Sequence, residues 1–117
     1  MRFMVSLITD GTGMEGMTPD ERKEAGARMM AFMGEIQDAG VLADPGAALG
    51  PASSARTLRR KSGKVVVTDG PFAESKEQIA GYMVLECEDL DDATGWAEKL
   101  PVSAGAIEVR PIADRPG

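Results

Sequence analysis

Residues 64–100, KVVVTDGPFAESKEQIAGYMVLECEDLDDATGWAEKL, decide how this chain folds. Val65-Val66-Val67 is strongly β-prone, because branched side chains pack well on a pleated surface. Asp69-Gly70-Pro71-Phe72 then breaks the strand with a rigid elbow. Gly70 adds backbone freedom, and a residue placed before proline is pushed out of the helical region. Ile79–Glu88 resumes an extended pattern, with Tyr82, Val84 and Glu86 on one face and Met83, Leu85 and Cys87 on the other. Asp89 is placed to cap a helix whose first turn carries Asp91 and Asp92, where the helix dipole favours negative charge. Ala93, Trp96, Ala97 and Leu100 form the buried stripe of that helix, and Pro101 stops it.

Working outward, Phe3–Ile8 is apolar except for Ser6, which suits a strand covered on both faces. Asp10-Gly11-Thr12-Gly13 ends it with turn chemistry. Thr18-Pro19-Asp20-Glu21 predicts a helix start: Thr18 caps, Pro19 fits the first helical position and Glu21 completes a capping box. Ala25, Met29, Phe32, Met33 and Ile36 follow as one apolar stripe, and Gly40 is the stop. Gly26 and Gly34 share a face of this helix, which predicts close approach of another backbone. Val41-Leu42 opens a short extended piece, and 44–55 reads as a long Gly/Pro/Ala/Ser loop. Arg56–Arg60 and Lys64–Thr68 form a hairpin around Lys61-Ser62-Gly63. Ala104–Ile112 is the last strand, with Ala106, Glu108 and Arg110 facing one way and Ile107 and Val109 the other. The tail Ala113–Gly117 reads as loose.

The bulk numbers fit one domain over residues 1–117 that needs no metal or disulfide staple. Acidic residues outnumber basic ones 19 to 13, for a net charge of −6. Such a surface repels phosphate backbones, so direct nucleic-acid binding is not expected, and the basic run Arg59-Arg60-Lys61…Lys64 reads as a solvated hairpin tip. Aromatic residues make up only 4% while Met numbers 8, so the core is built from aliphatic side chains and adaptable methionine. Cys87 is the single cysteine, which excludes an intrachain disulfide. It reads as a small buried hydrophobe rather than a nucleophile, since its neighbours are acidic and the chain has no histidine to activate it. The apolar run at the N-terminus breaks at Asp10, too short for a signal peptide or a membrane span, which predicts a reduced, cytoplasmic setting.

The pattern is strand–helix–strand twice, with a hairpin inserted between the two units. That predicts an α+β, ferredoxin-like split βαβ fold with both helices on one face of the sheet. The other face would then be bare. Phe3–Ile8 and Tyr82–Cys87 are apolar on both sides, so a second copy of the chain is the economical cover, giving a dimeric α/β-barrel assembly. Charged positions on the uncovered face (Glu86, Glu88, Glu108, Arg110) predict a partly polar cleft between the two sheets.

Val66–Gly70 running into Pro71-Phe72-Ala73-Glu74-Ser75-Lys76-Glu77 resembles the signature of DGPF-type, YCII-related domain proteins. Met1–Ile8, Gly40-Val41-Leu42, Asp89–Pro101 and Ile107–Ile112 fit the same pattern, so the resemblance covers nearly the whole chain. It implies a homodimeric α/β-barrel. It implies little chemistry, because most members have no established activity. More distant relatives are thought to use a His–Asp pair, which a chain without histidine cannot supply. Members often occur beside extracytoplasmic-function sigma factors, which implies a link to regulation.

The elbow is the stretch where unusual local choices coincide. Gly70, Pro71 and Phe72 read as structural, Phe72 as a plug into the core and Asp69 as an acceptor for the backbone of the turn that follows. As a pocket rim the same segment would offer Asp69, Glu74 and Lys76, with Tyr82 and Arg110 pointing into the inter-sheet cleft. Burial could raise a carboxylate such as Asp69 toward the working range of a general base. No Gly-rich phosphate loop, zinc ligand set or Ser-His-Asp set is present, and Ser75 beside Lys76 has the wrong spacing for a Ser-x-x-Lys motif. No cofactor or metal is expected. Three functions follow in order: a homodimeric ligand-binding or regulatory module, an enzyme using carboxylate, Tyr and Arg groups on a small organic molecule, and an interaction partner of a sigma factor.

Overall fold

The computed structural model describes residues 1–11, 16–102 and 105–113. Among the described residues, six strands and two helices run in the order β1 (Arg2–Thr9), α1 (Pro19–Asp38), β2 (Leu42–Ala48), β3 (Arg56–Lys61), β4 (Lys64–Asp69), β5 (Gln78–Glu86), α2 (Leu90–Ala97) and β6 (Ala106–Pro111), with a short 3₁₀ turn at Ala52–Ser54 before β3. The main sheet has the order β2-β5-β1-β6, and β3 and β4 form a sheet of their own. All observed pairings are antiparallel. Each βαβ unit leaves a gap that the other unit's strand fills, so the α+β architecture is compatible with a ferredoxin-like fold.

Local chemistry sets the boundaries. Thr18 Oγ1 accepts from the Glu21 N–H at 3.1 Å, and a Glu21 carboxylate oxygen accepts from the Thr18 N–H at 3.4 Å, so the capping box is closed. Gly40 follows the C-cap with φ +73° and ends α1. Asp89 caps α2 by accepting from the Asp92 N–H at 2.8 Å. In the hairpin, Ser62 and Gly63 both have positive φ (50° and 78°), the backbone of a two-residue turn whose twist matches the strands it joins.

The core lies between the helices and one sheet face. Phe3 is opposite Leu85 and Val5 opposite Met83. These four, with Cys87, pack against Phe32 and Ile36 of α1 and Ala93, Ala97 and Leu100 of and beyond α2. Trp96 packs at the edge of this cluster, with the Lys99 ammonium 4.8 Å from the ring centroid. The alternation read from β1, β5 and β6 is therefore the one observed.

Four expectations need correction. Residues 44–48 are not loop: β2 continues through Asp44-Pro45-Gly46-Ala47-Ala48 with two register irregularities against β5. Proline is tolerated there because β2 is an edge strand. Asp44 Oδ1 accepts from the Gly46 N–H at 2.7 Å, and Gly46 has φ +67°; a Cβ on Gly46 would overlap the Tyr82 carbonyl oxygen. Gly26 and Gly34 face open space rather than another backbone, since a Cβ at either meets nothing within 4 Å. The α2 helix ends at Ala97, although Leu100 is still buried. The last strand begins at Ala106, while Ala104 and the tail from residue 114 lie outside the described residues.

Because nothing fills the space beside Gly26 and Gly34, Gly26→Ala and Gly34→Ala should each stabilise the protein by up to ~1 kcal/mol through helix propensity. Gly46→Ala should destabilise by more than ~1 kcal/mol, since its backbone conformation and the space beside it both exclude a side chain. Urea unfolding of the three variants checks both signs.

Candidate functional site

Two regions gather the polar side chains singled out above. The first is the elbow. Its backbone is tied to the base of the hairpin at three levels. Arg56 Nε donates to Asp69 Oδ1 at 3.1 Å, Thr57 Oγ1 donates to the Gly70 carbonyl at 2.8 Å, and the Arg59 guanidinium donates to the Phe72 carbonyl at 3.1 Å. The Gly70 N–H also donates to the Ala55 carbonyl at 2.7 Å. Beyond the turn, Gln78 Nε2 donates to the carbonyls of Ala73 and Ser75. The segment is thus held by neutral and charge-assisted bonds at the surface rather than by burial.

This differs from the sequence reading in two respects. Phe72 is not a core plug: it is 72% exposed and lies under the Arg59 guanidinium, 4.6 Å from ring centroid to charge. A planar cation stacks on an aromatic face, so Arg59 supplies the cover that the core was expected to give. Asp69 makes its ion pair with Arg56 across the ladder rather than with the turn that follows. Its side chain is 84% exposed.

An open depression of ≈340 Å³ runs beside the elbow and is lined in part by Asp69, Gly70, Pro71 and Glu74. A neighbouring one of ≈350 Å³ includes Lys76, Thr9 and Asp10. The two share Ala52, Ser53 and Gln78. Asp69 and Glu74 therefore line one depression and Lys76 the adjoining one, at the end of the sheet where β5 begins.

Tyr82 and Arg110 are elsewhere, on the sheet face opposite the helices. There the register builds two rows. Ala47, Tyr82, Ser6 and Glu108 lie side by side across four strands, and Asp44, Val84, Met4 and Arg110 form the next row. Glu108 and Arg110, two apart on β6, pair at 2.7 Å. Ser6, between Tyr82 and Glu108, is only 2% exposed. Ser6 and Glu108 were not among the candidate residues. The signal for Ser6 was its position in the alternation of β1, the one hydroxyl on a face otherwise carrying Met4 and Ile8.

Burial pushes the Cys87 thiol up from its ordinary value, and the carboxylates of Asp92, Glu86 and Asp89 add to it against the opposing charge of the N-terminal amine. Cys87 is 6% exposed. Among the described residues no group of His, Cys, Asp and Glu is arranged to hold a metal ion, and no helix is long and apolar enough to cross a membrane.

A family profile described as YCII-related domain matches residues 1–115. An uncharacterized protein of Rhizobium meliloti (strain 1021) is 41% identical over 106 residues, covering 85% of each chain. The chain belongs to the YCII-related domain family, as the Asp69–Phe72 elbow and its surroundings led one to expect.

Two outcomes follow. Arg56 and Asp69 are both more than two-thirds exposed, so Asp69→Asn should cost less than ~1 kcal/mol in stability and leave the far-UV spectrum unchanged. The Cys87 thiol holds its proton more tightly in the folded chain than in the unfolded one. Its contribution to stability is intact below the unfolded value of ~8.5 and is lost as pH rises from there toward the folded value. Denaturant midpoints taken from pH 7 to pH 10 should fall less steeply in Cys87→Ala than in the wild type.

Proposed function

We propose that the protein is a homodimeric ligand-binding module whose binding surface is the helix-free face of the main sheet, enclosed between two copies. The observation that supports this most is the composition of that face. Met4, Ile8, Tyr82 and Val84 are half-buried there without any helix above them, and the polar groups of Tyr82, Glu108 and Arg110 lie among them. An apolar surface with a few convergent polar groups is the ordinary make-up of a small-molecule site. A second copy laid on it would remove the apolar area from water and leave these polar groups as the lining of a cleft. The Tyr82 hydroxyl, one carboxylate and one guanidinium suit a small organic molecule that both donates and accepts hydrogen bonds, with a carboxylate or phenolate matched to Arg110.

Binding stands ahead of catalysis because the exposed carboxylates lack the environment of a general base. Glu108 and Arg110 form an ion pair at 2.7 Å, an arrangement suited to recognition. A regulatory role, including one coupled to a sigma factor, would be exercised through ligand-dependent changes at the same dimer.

Sedimentation equilibrium should give twice the 12.3 kDa chain mass at micromolar concentration. Val84→Lys, which puts a charge in the middle of the face, should yield a folded monomer. A thermal-shift panel of small carboxylic acids, phenols and amides should contain at least one stabilising compound; saturation at 100 times Kd adds about 2.7 kcal/mol. Arg110→Met should abolish the shift for carboxylates while the dimer persists. A wild-type monomer at high concentration would overturn the proposal.

A further inference from the structure

The β3–β4 hairpin has no place in the protomer's core. Every residue of β4 is exposed, and of β3 only Thr57 is half-buried. Opposite pairs place Leu58 with Val67 and Arg60 with Val65 on one face of the ribbon. Leu58 is 62% exposed, Val67 56% and Val65 47%. A lone two-stranded ribbon is marginally stable in water, and unpaired valine-rich edges are a template for association. The protomer is also less compact than its length requires. The radius of gyration is 16.6 Å, where a compact chain of this length has roughly 13 Å, and the extents are 49 × 48 × 18 Å.

We infer that this ribbon is an intersubunit arm: it lies on the second copy of the chain, with Leu58, Val65 and Val67 against that copy and its basic side chains toward that copy's acidic end. The inference rests on the dimer proposed above and assigns the arm as the part that makes the dimer stable.

Area is the first argument. Four strands ~4.8 Å apart and ~25 Å long give a sheet face of roughly 500 Å². A standard stable interface buries about 800 Å² per partner. The sheet face alone falls short. An arm ~20 Å long, crossing reciprocally in both directions, raises each partner's share to roughly 900 Å².

Charge is the second. The arm carries Arg56, Arg59, Arg60, Lys61 and Lys64 against Asp69 alone, in a chain whose net charge is −6. The complementary surface is at the other end of β5. Glu86, Glu88, Asp89, Asp91 and Asp92 are all exposed there, where β5 ends and α2 begins. Some of this charge already has a local role: Asp89 and Asp92 cap backbone N–H groups, and Glu86 is 3.8 Å from the N-terminal amine. The arm leaves the sheet at the opposite end of this nine-residue strand, ~30 Å away, and cannot reach these acids in its own protomer. Two copies related by a two-fold axis that reverses the strand direction bring each basic arm to the other's acidic end. A nucleic acid following the arm would instead meet the acidic body.

Charge reversal tests this. Arg60→Glu with Lys61→Glu changes two exposed residues and leaves the elbow contacts intact, and circular dichroism confirms the fold. Sedimentation should show at least a tenfold weaker dimer. Glu88→Lys with Asp91→Lys should weaken it similarly, and the four changes combined in one chain should restore most of the loss. Leu58→Asp should also weaken the dimer, and amide exchange across 56–69 should slow as wild-type concentration rises through the dimerisation range. A wild-type dimer indifferent to all these changes overturns the arm and leaves the sheet-face dimer standing. A wild-type monomer overturns both. Retardation of duplex DNA by the wild type, lost with Arg60→Glu/Lys61→Glu while the dimer is unaffected, overturns the arm in favour of nucleic-acid binding.

Discussion

The antiparallel pairing of β1 with β5 governs the rest of the molecule. Its register sets Phe3 against Leu85 and Val5 against Met83. With a side-chain period of two, those four residues occupy one face, and Met4, Ser6, Tyr82 and Val84 are forced to the other. A slip of one residue would send the core to the solvent and the polar row into the helices. Both helices, both outer strands and the candidate binding face take their positions from this one alignment.

The consequence is a molecule with two unlike surfaces on one sheet. Helices α1 and α2 bury the first completely at its centre, where Phe3, Val5, Ile36 and Leu85 are closed to water. The second is half-apolar and carries Tyr82, Glu108 and Arg110 beside the buried Ser6. In the proposed dimer, sheet face and hairpin are two parts of one association device. The elbow, through its contacts with Arg56, Thr57 and Arg59, fixes the base of the hairpin.

Most of the fold was legible in the chain. Strong local chemistry marked the capping box at Thr18 and Glu21, the cap at Asp89, the hairpin turn at Ser62-Gly63 and the alternation in β1, β5 and β6. Misreadings fell where local chemistry is ambiguous. Pro45 and Gly46 look like loop, and only pairing with β5 makes Asp44–Ala48 an edge strand. Phe72 looks like core by its side chain, yet Arg59, distant in sequence, stacks on it at the surface. Gly26 and Gly34 suggested a close neighbour that the packing does not supply.

The candidate site divides along the same line. Sequence by itself determined which residues alternate together, so Tyr82 with Val84 and Glu108 with Arg110 could be placed on shared faces. It also determined the absence of histidine and thereby removed a His–Asp pair. Only the tertiary structure decided that Tyr82, Ser6 and Glu108 stand in one row, because cross-strand neighbours depend on register between segments up to a hundred residues apart. It alone separated that row from the depressions lined by Asp69, Glu74 and Lys76. The direction in which a hairpin leaves a sheet is likewise set by long-range packing, which no local pattern encodes.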